Sequence, residues 1–503
     1  MSIFKKLASE TALYGLSSMI GRLLTYLLVP LHTHLIYGFR PSEFGILTIL
    51  YAYTAFLNII YTYGMETSFF RFANLDKQNQ DKTYQKIQTQ LLITTLFFTF
   101  IFLFSADFLN SYFKYGINGG LYIRFLAFIL FFDTLVALPF AYLRLQNKAK
   151  RFAFVKLIGI FLSVFFNIFF LLICPILKKA GFDAIDIIYH PRFSIGYVFL
   201  ANLIASFITT LFLLDILVKK YKFLWDWQTL RPILNYGYPL LFMGLAGTIN
   251  SMLDKILLEK WLPENFYDNQ TSLDAVGIYG AAIKMGVLMT LAVQAFKYAA
   301  EPFFFSQAKE KQAPELFAKV MLYFVIVCAI MWVGVCVNLP VITYFFLSNS
   351  KYHQALSLVP MMLLANLLLG IYFNLTIWFK LTNKTYFGTY IAFFGAICTL
   401  IGNLFFIPIL GYWACVLTTF FTYLLMSIVC EYYGKKYFPV PYRWEKIILY
   451  LGIGGFLILF IQFFRFENIY FNFFFGNFVW GIYIFYLLIN EKINIPFLSR
   501  TKV

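Results

Sequence analysis

The sequence predicts an all-α polytopic membrane protein with about 14 membrane-spanning helices. Three observations predict this fold class. Hydrophobic residues make up 61% of the 503-residue chain, charged residues make up 13%, and the apolar residues form long runs. A soluble domain has about 45–50% apolar and about 25% charged residues, so this chain lacks the polar side chains to cover a water-facing surface. The composition therefore excludes both a soluble globular protein and a disordered one.

The membrane spans follow from run length, since a crossing helix needs about 20 mostly apolar residues. Lys5 and Lys6 precede a long apolar run without a small-residue cleavage signal, which predicts an uncleaved first span. The loops are short, and the longest on the predicted outer side runs from Lys178 to Arg192. The predicted spans are residues 10–36, 43–70, 87–106, 119–143, 152–177, 194–218, 232–258, 274–300, 316–347, 354–379, 385–409, 411–433, 446–464 and 469–490.

The distribution of basic residues predicts the orientation. With the N-terminus in the cytoplasm, 27 of the 40 Lys and Arg residues, Lys156 among them, fall in cytoplasmic segments. Cytoplasmic loops of membrane proteins carry such an excess, so we expect both termini to be cytoplasmic. Most of the net charge of +17 is then a topology signal, and we expect no nucleic-acid partner.

An internal repeat organises the chain. Residues 144–148 (RLQNK) are echoed by residues 380–384 (KLTNK) at an offset of 236, and at that offset Asn167 meets Asn403. Further echoes pair residues 44–46 with 276–278 and residues 14–15 with 236–237. The two copies start six spans apart, which predicts a parallel repeat about an axis along the membrane normal.

The repeat predicts three parts. These are an N-terminal six-helix lobe over residues 1–222, a C-terminal six-helix lobe over 223–440, and a C-terminal helix pair over 441–503. Two facing six-helix bundles define a cleft at the membrane midplane, as in alternating-access transporters. A membrane enzyme would favour a sizeable loop with a catalytic motif, and we find none, so no catalytic residues are assigned.

A positive charge within the first span is the clearest sign of a binding site. An ionisable side chain at the bilayer centre costs at least ~2.5–3.5 kcal/mol and usually faces a cavity or a partner. Arg22 lies on a polar helix face with Ser18 and Tyr26. The two interpretations are an anion contact lining a cavity and a structural ion pair.

Other charges lie within the predicted spans. Lys284 and Lys297 lie on span 8; Lys284 is deep enough to line a cavity, whereas Lys297 is near the end and can reach the interface. On span 7, Asp254 and Lys255 form either a local charge pair or a cavity element.

Two carboxylates are candidates for ion coupling besides Asp254. Asp133 lies in the middle of span 4, where it either accepts a proton or a sodium ion or bonds to a neighbouring helix. Glu66 lies at the end of span 2, where we expect an interfacial pair with Arg71. The sequence contains no HExxH, Walker A or Rossmann pattern, so we expect no metal and no cofactor.

Several stretches resemble the bacterial polysaccharide biosynthesis membrane proteins. They are residues 62–72 (TYGMETSFFRF), 14–18 (YGLSS) with Gly21 and Arg22, 139–145 (PFAYLRL), 276–280 (VGIYG) and 298–305 (YAAEPFFF). The resemblance covers almost the whole chain. It points to the oligosaccharide (O-antigen type) flippase branch of the multidrug/oligosaccharidyl-lipid/polysaccharide exporter superfamily.

The resemblance implies two six-helix lobes, a central cationic cavity and a groove for a lipid tail along the last two helices. It implies that Arg22, and less directly Lys284, contact the substrate. Relatives often have Asp-Arg on span 7, where this chain has Asp254 and Lys255, so bidentate phosphate recognition would be lost there. Implied partners are a lipid-linked oligosaccharide, a coupling H⁺ or Na⁺, membrane lipid and a polysaccharide polymerase.

The predicted function is a flippase for a polyprenyl-pyrophosphate-linked oligosaccharide in the bacterial inner membrane. Two alternatives stay within the superfamily: a flippase for the peptidoglycan precursor lipid II, and a cation-coupled exporter of drugs or other small molecules. The basic charge at the centre argues against an exporter of cationic drugs. A membrane-embedded polymerase or glycosyltransferase is the alternative from another class.

Overall fold

The chain is a multi-pass membrane protein. The computed structural model describes residues 19–34, 36–308, 310–464 and 468–491, and these residues form helices joined by turns and loops. Within these described ranges, eleven helices are long and apolar enough to cross a membrane, and the number is up to 13 if each of two sharply bent helix pairs counts as one span. The predicted fold class is confirmed.

We number the helices by the predicted spans. α1 is the apolar helix Met19–His32, whose predicted span begins before the described residues. The others are α2 (Pro41–Leu75), α3 (Lys77–Phe113), α4 (Gly119–Leu145), α5 (Ala149–Lys179), α6 (Gly196–Phe212), α7 (Trp227–Trp261), α8 (Ser272–Met285 and Val287–Gln307), α9 (Ala313–Val337), α10 (Ser350–Leu381), α11 (Tyr386–Leu410), α12 (Tyr412–Tyr437), α13 (Trp444–Phe463) and α14 (Ile469–Asn490).

Each predicted span from the second to the fourteenth overlaps one of these helices. The predicted bounds differ most for α3 and α9. α3 continues through polar residues beyond its apolar segment, whereas α9 ends at Val337 and is followed by a separate short helix, Leu339–Phe346. The predicted outer loop begins with two short 3₁₀ helices, Asp183–Ile187 and Pro191–Phe193, and this segment is bent by 111° relative to α6. Glu43 accepts a hydrogen bond from the backbone N–H of Arg40 (3.0 Å), which caps α2 at its start.

The repeated RLQNK and KLTNK sequences fold into the same turn. Asn147 and Asn383 have left-handed backbone, with φ of 54° and 59°. The N–H of Lys148 donates to the Leu143 carbonyl (2.9 Å), and the N–H of Lys384 donates to the Phe379 carbonyl (2.8 Å). These bonds close the Schellman motif that ends a helix, and Asn tolerates its left-handed position. The duplication is thus preserved in backbone geometry.

The described residues form two compact units. The first comprises residues up to Ala281 together with Ala392–Cys415. Its most buried span is α4, which packs against α3 and α6, while α7 packs against α2. Its core includes an aromatic group in which the rings of Phe69, Tyr84 and Tyr142 contact one another.

The second unit comprises Ala282–Ile391 together with the residues from Val416 onwards. Here α9 packs against α10, α13 and α14. The indole N–H of Trp480 donates to the Ile330 carbonyl (3.0 Å), and Gly334 leaves room for that ring. The compact units therefore cross the predicted lobe boundaries, because residues 223–281 pack within the first unit. The lobes were inferred from the repeat rather than from packing, and they remain a prediction.

The paired turns yield a first prediction. Replacing Asn147 with Val places a β-branched residue at φ of 54°, which costs about 1–2 kcal/mol. Asn147→Val should therefore lower the thermal denaturation temperature of the purified protein by about 1–4 °C. Asn147→Gly is the control, since glycine adopts this conformation without cost. Equal denaturation temperatures for the Val and Gly variants would contradict the assigned turn.

Candidate functional site

Arg22 on α1 lies beside α5. The two helices are in close contact at Gly21, where an added Cβ would lie 2.5 Å from Ile160 Cδ1. One helical turn before Ile160 is Lys156, which lies within electrostatic range of Arg22. Arg22 is exposed, whereas Tyr26, one turn further along the predicted polar face, is buried. Ser18 lies outside the described residues.

Two further charged residues join this group. Arg144, at the end of α4, forms an ion pair with Glu66 on α2 (2.7 Å), and Lys156 lies within electrostatic range of both. The predicted pair of Glu66 with Arg71 is wrong. The Arg71 guanidinium instead stacks on the ring of Tyr236, 4.2 Å from the centroid.

The four residues form a net-basic group, which we call the cationic cluster (Arg22, Glu66, Arg144, Lys156). Three cations and one carboxylate leave an excess of positive charge. Arg144 Nε is buried and has no hydrogen-bond partner in the described part of the chain. An unsatisfied guanidinium N–H next to excess positive charge is a favourable arrangement for binding an anion.

The sequence prediction missed two members, Arg144 and Lys156, because it assigned both to a cytoplasmic segment. Lys156 nevertheless lies seven residues into α5, about 10 Å along the helix. Its ammonium group lies 5.4 Å from the centroid of the Phe152 ring, and the residue is half-buried. Its position inside the predicted span 152–177 was the signal that could have identified it.

The second unit holds a related group on α8 and α10. Lys380 forms an ion pair with Glu301 (2.8 Å). Lys297, one turn before Glu301, lies within electrostatic range of both and packs on the Phe373 ring, 4.3 Å from the centroid. Lys297 thus contacts an aromatic ring and neighbouring charges, and it also lies near the end of its helix.

The two ion pairs are repeat-equivalent. Glu301 follows Glu66 by 235 residues, and Lys380 follows Arg144 by 236. In each copy of the repeat, one carboxylate and one cation thus join two equivalent helices. These are α2 and α4 in the first copy and α8 and α10 in the second. The sequence contains a signal for this equivalence, because Glu66 and Glu301 each precede an aromatic pair in residues 62–72 and 298–305, two of the stretches that resemble polysaccharide biosynthesis proteins.

Lys284 lies at a break in α8. The two parts of α8 are bent by 50°, and Lys284 is the last residue but one of the first part. Its side chain is half-buried. The bend occurs at Gly286, where an added Cβ would lie 3.4 Å from Asn366 Nδ2.

Asp254 and Lys255 form a buried pair. The Lys255 ammonium donates to Asp254 Oδ1 (2.9 Å) and to the Ser251 carbonyl (2.9 Å). The Tyr279 hydroxyl donates to Asp254 Oδ2 (2.6 Å). Both charged side chains are about nine-tenths buried. Of the two interpretations in the sequence analysis, this geometry favours the local charge pair.

Asp133 lies in a polar group contributed by four helices of the first unit. Its Oδ1 accepts a hydrogen bond from the Ser206 hydroxyl (2.7 Å). One turn earlier on α6, Asn202 bonds to Ser163 on α5 and to Tyr51 on α2. Asn167, one turn after Ser163, has a buried Oδ1 without a hydrogen-bond partner among the described residues. This group offers several oxygen atoms and one carboxylate, the ligand type that small hard cations prefer.

Comparisons with known proteins agree with this fold. Residues 39–175 match the family model described as polysaccharide biosynthesis protein. The lipid II flippase MurJ, in an inward closed conformation, superposes with a TM-score of 0.73 at 13% identity, covering 95% of this chain and 99% of MurJ. An inward-facing multidrug resistance MATE family transporter of the MOP superfamily gives 0.57 at 15% identity, covering 83% of this chain and 97% of that one.

A MOP superfamily transporter from Pyrococcus furiosus, with a binding pocket described as having reverse polarity, gives a TM-score of 0.55 at 15% identity. The match covers 85% of this chain and 95% of that one. No curated protein sequence matches significantly. The chain therefore shares the fold of these proteins, and the predicted resemblance to polysaccharide biosynthesis proteins is confirmed by the match over residues 39–175.

The buried pair yields a second prediction. Lys255→Met leaves the Asp254 carboxylate buried without its cation, which typically costs about 3–5 kcal/mol. We expect a marked loss of monodisperse protein in size-exclusion chromatography of detergent extracts. Adding Asp254→Asn should restore much of that loss, because the uncompensated charge is removed. A Lys255→Met protein that folds normally but loses activity would instead indicate a substrate contact.

Proposed function

We propose that this protein moves a polyprenyl-pyrophosphate-linked oligosaccharide across the bacterial inner membrane by alternating access, for cell-surface polysaccharide biosynthesis. The observation that carries the proposal is the cationic cluster, in which Lys156 lies within electrostatic range of Arg22 and of the ion pair between Arg144 and Glu66. The match of residues 39–175 to polysaccharide biosynthesis proteins supports the biosynthetic context. In the proposed orientation both termini are cytoplasmic, so the cluster lies toward the cytoplasmic side, where such lipids are assembled.

The chemistry of the substrate suits this cluster. A pyrophosphate diester has an ionised oxygen on each phosphorus and does not cross hydrocarbon unaided. Arg22 and Lys156 replace part of its hydration, and the unsatisfied Nε–H of Arg144 supplies a further donor. Charge-assisted hydrogen bonds of this kind are about twice as strong as neutral ones. Lys284 and Lys297 are further proposed contacts of the substrate, whereas Lys255 is committed to Asp254.

The lipid tail requires a different surface. α13 and α14 expose large aromatic side chains, among them Phe456, Phe463 and Phe474. Hydrocarbon tails pack on such a surface without loss of hydrogen bonds. We assign the tail to these helices, so that only the polar head group passes through the protein.

Asp133 is the proposed coupling residue. The oxygen atoms around it come from four helices of one unit. A proton or sodium ion bound there would neutralise the carboxylate and change the packing of those helices. Asp254 and Glu66 are less suited, because each already pairs with a cation.

A second candidate is transport of lipid II, the peptidoglycan precursor. It is favoured by the similarity to MurJ, which superposes better than the MATE transporters. The head groups share a pyrophosphate, so the same cluster serves either substrate. Export of cationic drugs is disfavoured because the cluster is net basic.

Deletion of the gene tests the proposal and separates the candidates. We expect a lipid-linked oligosaccharide to accumulate on the cytoplasmic leaflet, with loss of surface polysaccharide. Extracted lipids would be identified by mass spectrometry. Accumulation of lipid II would favour the second candidate. Altered drug sensitivity without any accumulating lipid would contradict both.

Arg22 provides the third prediction. Arg22→Ala should reduce surface polysaccharide in the complemented deletion strain at least about tenfold, because loss of a charged hydrogen bond costs about 1.5–3 kcal/mol. Arg22→Lys should retain part of the activity. Lys222→Ala, which removes an exposed basic residue between α6 and α7, is the matched control. Wild-type polysaccharide in an Arg22→Ala strain with normal membrane levels of the protein would contradict the assignment.

Asp133 provides the fourth prediction. Asp133→Asn keeps the shape of the side chain but cannot be ionised, so transport should lose its dependence on the proton or sodium gradient. The measurement is transport in proteoliposomes with and without each gradient. Ser206→Ala removes only the hydrogen-bond donor (2.7 Å) and should retain the dependence. An Asp133→Asn protein that responds to both gradients like wild type would rule out coupling at Asp133.

A further inference from the structure

A proline interrupts the hydrogen bonding within α4. Pro139 has no N–H, so the carbonyl of Leu135, four residues earlier, lacks its helical donor. The side chain of Gln88 on α3 supplies a donor instead, since its Nε2 donates to the Leu135 carbonyl (3.2 Å). A carbonyl only accepts, so the amide nitrogen of Gln88 faces it and the amide oxygen points elsewhere. That oxygen, Oε1, is buried and has no hydrogen-bond partner in the described part of the chain.

Further polar atoms without a partner lie near Gln88. The hydroxyls of Tyr84 and Thr95 on α3 and of Thr134 on α4 are buried and have no hydrogen-bond partner among the described residues. Tyr84, Gln88 and Thr95 are spaced by four and seven residues, which places them on one face of α3. Tyr84 and Gln88 both contact α4, so this face points toward that helix. We call these four residues the buried polar row (Tyr84, Gln88, Thr95, Thr134).

The two threonines of the row differ from many others in this protein. The hydroxyls of Thr54, Thr209 and Thr248 donate to the carbonyl four residues earlier on their own helix (2.7–3.0 Å). A helical threonine always has such a carbonyl within reach. Thr95 and Thr134 do not form this bond, so their hydroxyls point away from an available acceptor. That orientation indicates a different partner.

The equivalent positions of the second copy of the repeat are apolar. At the offset of 236 that relates α4 to α10, Thr134 corresponds to Gly370 and Pro139 corresponds to Leu375, which retains its N–H. Gly370 lies against an aromatic ring of α9, since a Cβ added there would lie 2.3 Å from Phe324 Cζ. The polar groups between α3 and α4 are therefore not a requirement of the fold.

We propose that the contact between α3 and α4 binds internal water, which is held by the buried polar row. A buried polar group without a partner is strongly unfavourable, and hydrocarbon cannot supply one. Water both donates and accepts hydrogen bonds, and it commonly joins such groups inside proteins. The row extends about 16 Å along α3, farther than one water molecule reaches, so more than one is bound.

Bound water gives α4 a contact that can be rearranged. Arg144, a member of the cationic cluster, lies five residues after Pro139 on the same helix. A water molecule can reorient and replace one hydrogen bond with another, whereas the ring of Phe324 against α10 offers no such exchange. Water binds here whatever substrate the protein transports, so this site does not depend on the proposed function.

Hydroxyl-radical footprinting of the full-length protein in nanodiscs tests the proposal. An X-ray pulse generates radicals from water, and radicals formed at internal water oxidise the adjacent side chains even where these are buried. Tyr84 should be oxidised although it is 0% exposed. The matched control is Tyr483, which is 1% exposed and whose hydroxyl donates to the Tyr450 carbonyl (2.9 Å). Mass spectrometry that finds Tyr84 as unreactive as Tyr483 would overturn the proposal.

Removing the hydroxyls of the row should expel the water. Thr95→Val/Thr134→Val keeps the shape of both side chains, and we expect the oxidation of Tyr84 to fall several-fold in this double variant. Tyr112, which is exposed near the end of the same helix, should be oxidised as in wild type. Undiminished oxidation of Tyr84 in the variant would overturn the assignment of the water to the row.

Thermal stability separates bound water from a dry contact. Thr134→Val takes a partner from the water and should lower the denaturation temperature by about 1 °C. In a dry contact the same variant removes an unsatisfied hydroxyl without changing the shape, and the temperature would rise. Thr209→Val is the control, because its hydroxyl bonds only within its own helix (2.7 Å), and it should change the temperature less. A Thr134→Val protein as stable as wild type, or more stable, would overturn the proposal.

Discussion

The high cost of placing charge in hydrocarbon is the constraint on which this structure depends. An isolated ionised side chain at the bilayer centre costs at least ~2.5–3.5 kcal/mol, so each must find a partner, a cavity or the interface. Asp254 and Lys255 form an ion pair, and the Tyr279 hydroxyl donates a hydrogen bond to the Asp254 carboxylate. The cationic cluster instead combines three cations with one carboxylate among its four residues. This difference distinguishes a charge pair that stabilises the fold from a group of charges that is suited to binding an anion.

Duplication explains why several features occur twice. Asn147 and Asn383 end equivalent helices in the same left-handed turn, and Glu66 and Glu301 make equivalent ion pairs. The copies have diverged where the proposed substrate binds. Lys156 has no basic counterpart, since Ala392 stands at the equivalent position. An asymmetric, amphiphilic substrate does not require the same binding residues in both copies of the repeat.

Most of the fold could be predicted from the sequence, because a membrane span is a local property of about 20 residues. The repeat was equally visible, since RLQNK and KLTNK encode the same turn. The site was less accessible. Arg22 stood out because a single helix reveals a charge on a polar face, but the choice of Arg144 rather than Arg71 as the partner of Glu66 depends on how α2 and α4 pack. Lys156 was missed although the predicted span 152–177 contains it, because it was assigned to the cytoplasmic segment together with the basic residues that precede that span.

The most direct test of the central claim is binding of the head group to the purified protein. Titration of wild type and of Arg22→Ala with a short-chain polyprenyl-pyrophosphate oligosaccharide, followed by isothermal calorimetry, measures the contribution of the cluster. The same titration with the monophosphate analogue reports on the pyrophosphate itself. We predict at least about tenfold weaker binding for Arg22→Ala and for the monophosphate, and little difference between the two ligands in the variant. Equal affinity of wild type and Arg22→Ala for the pyrophosphate lipid would contradict the account.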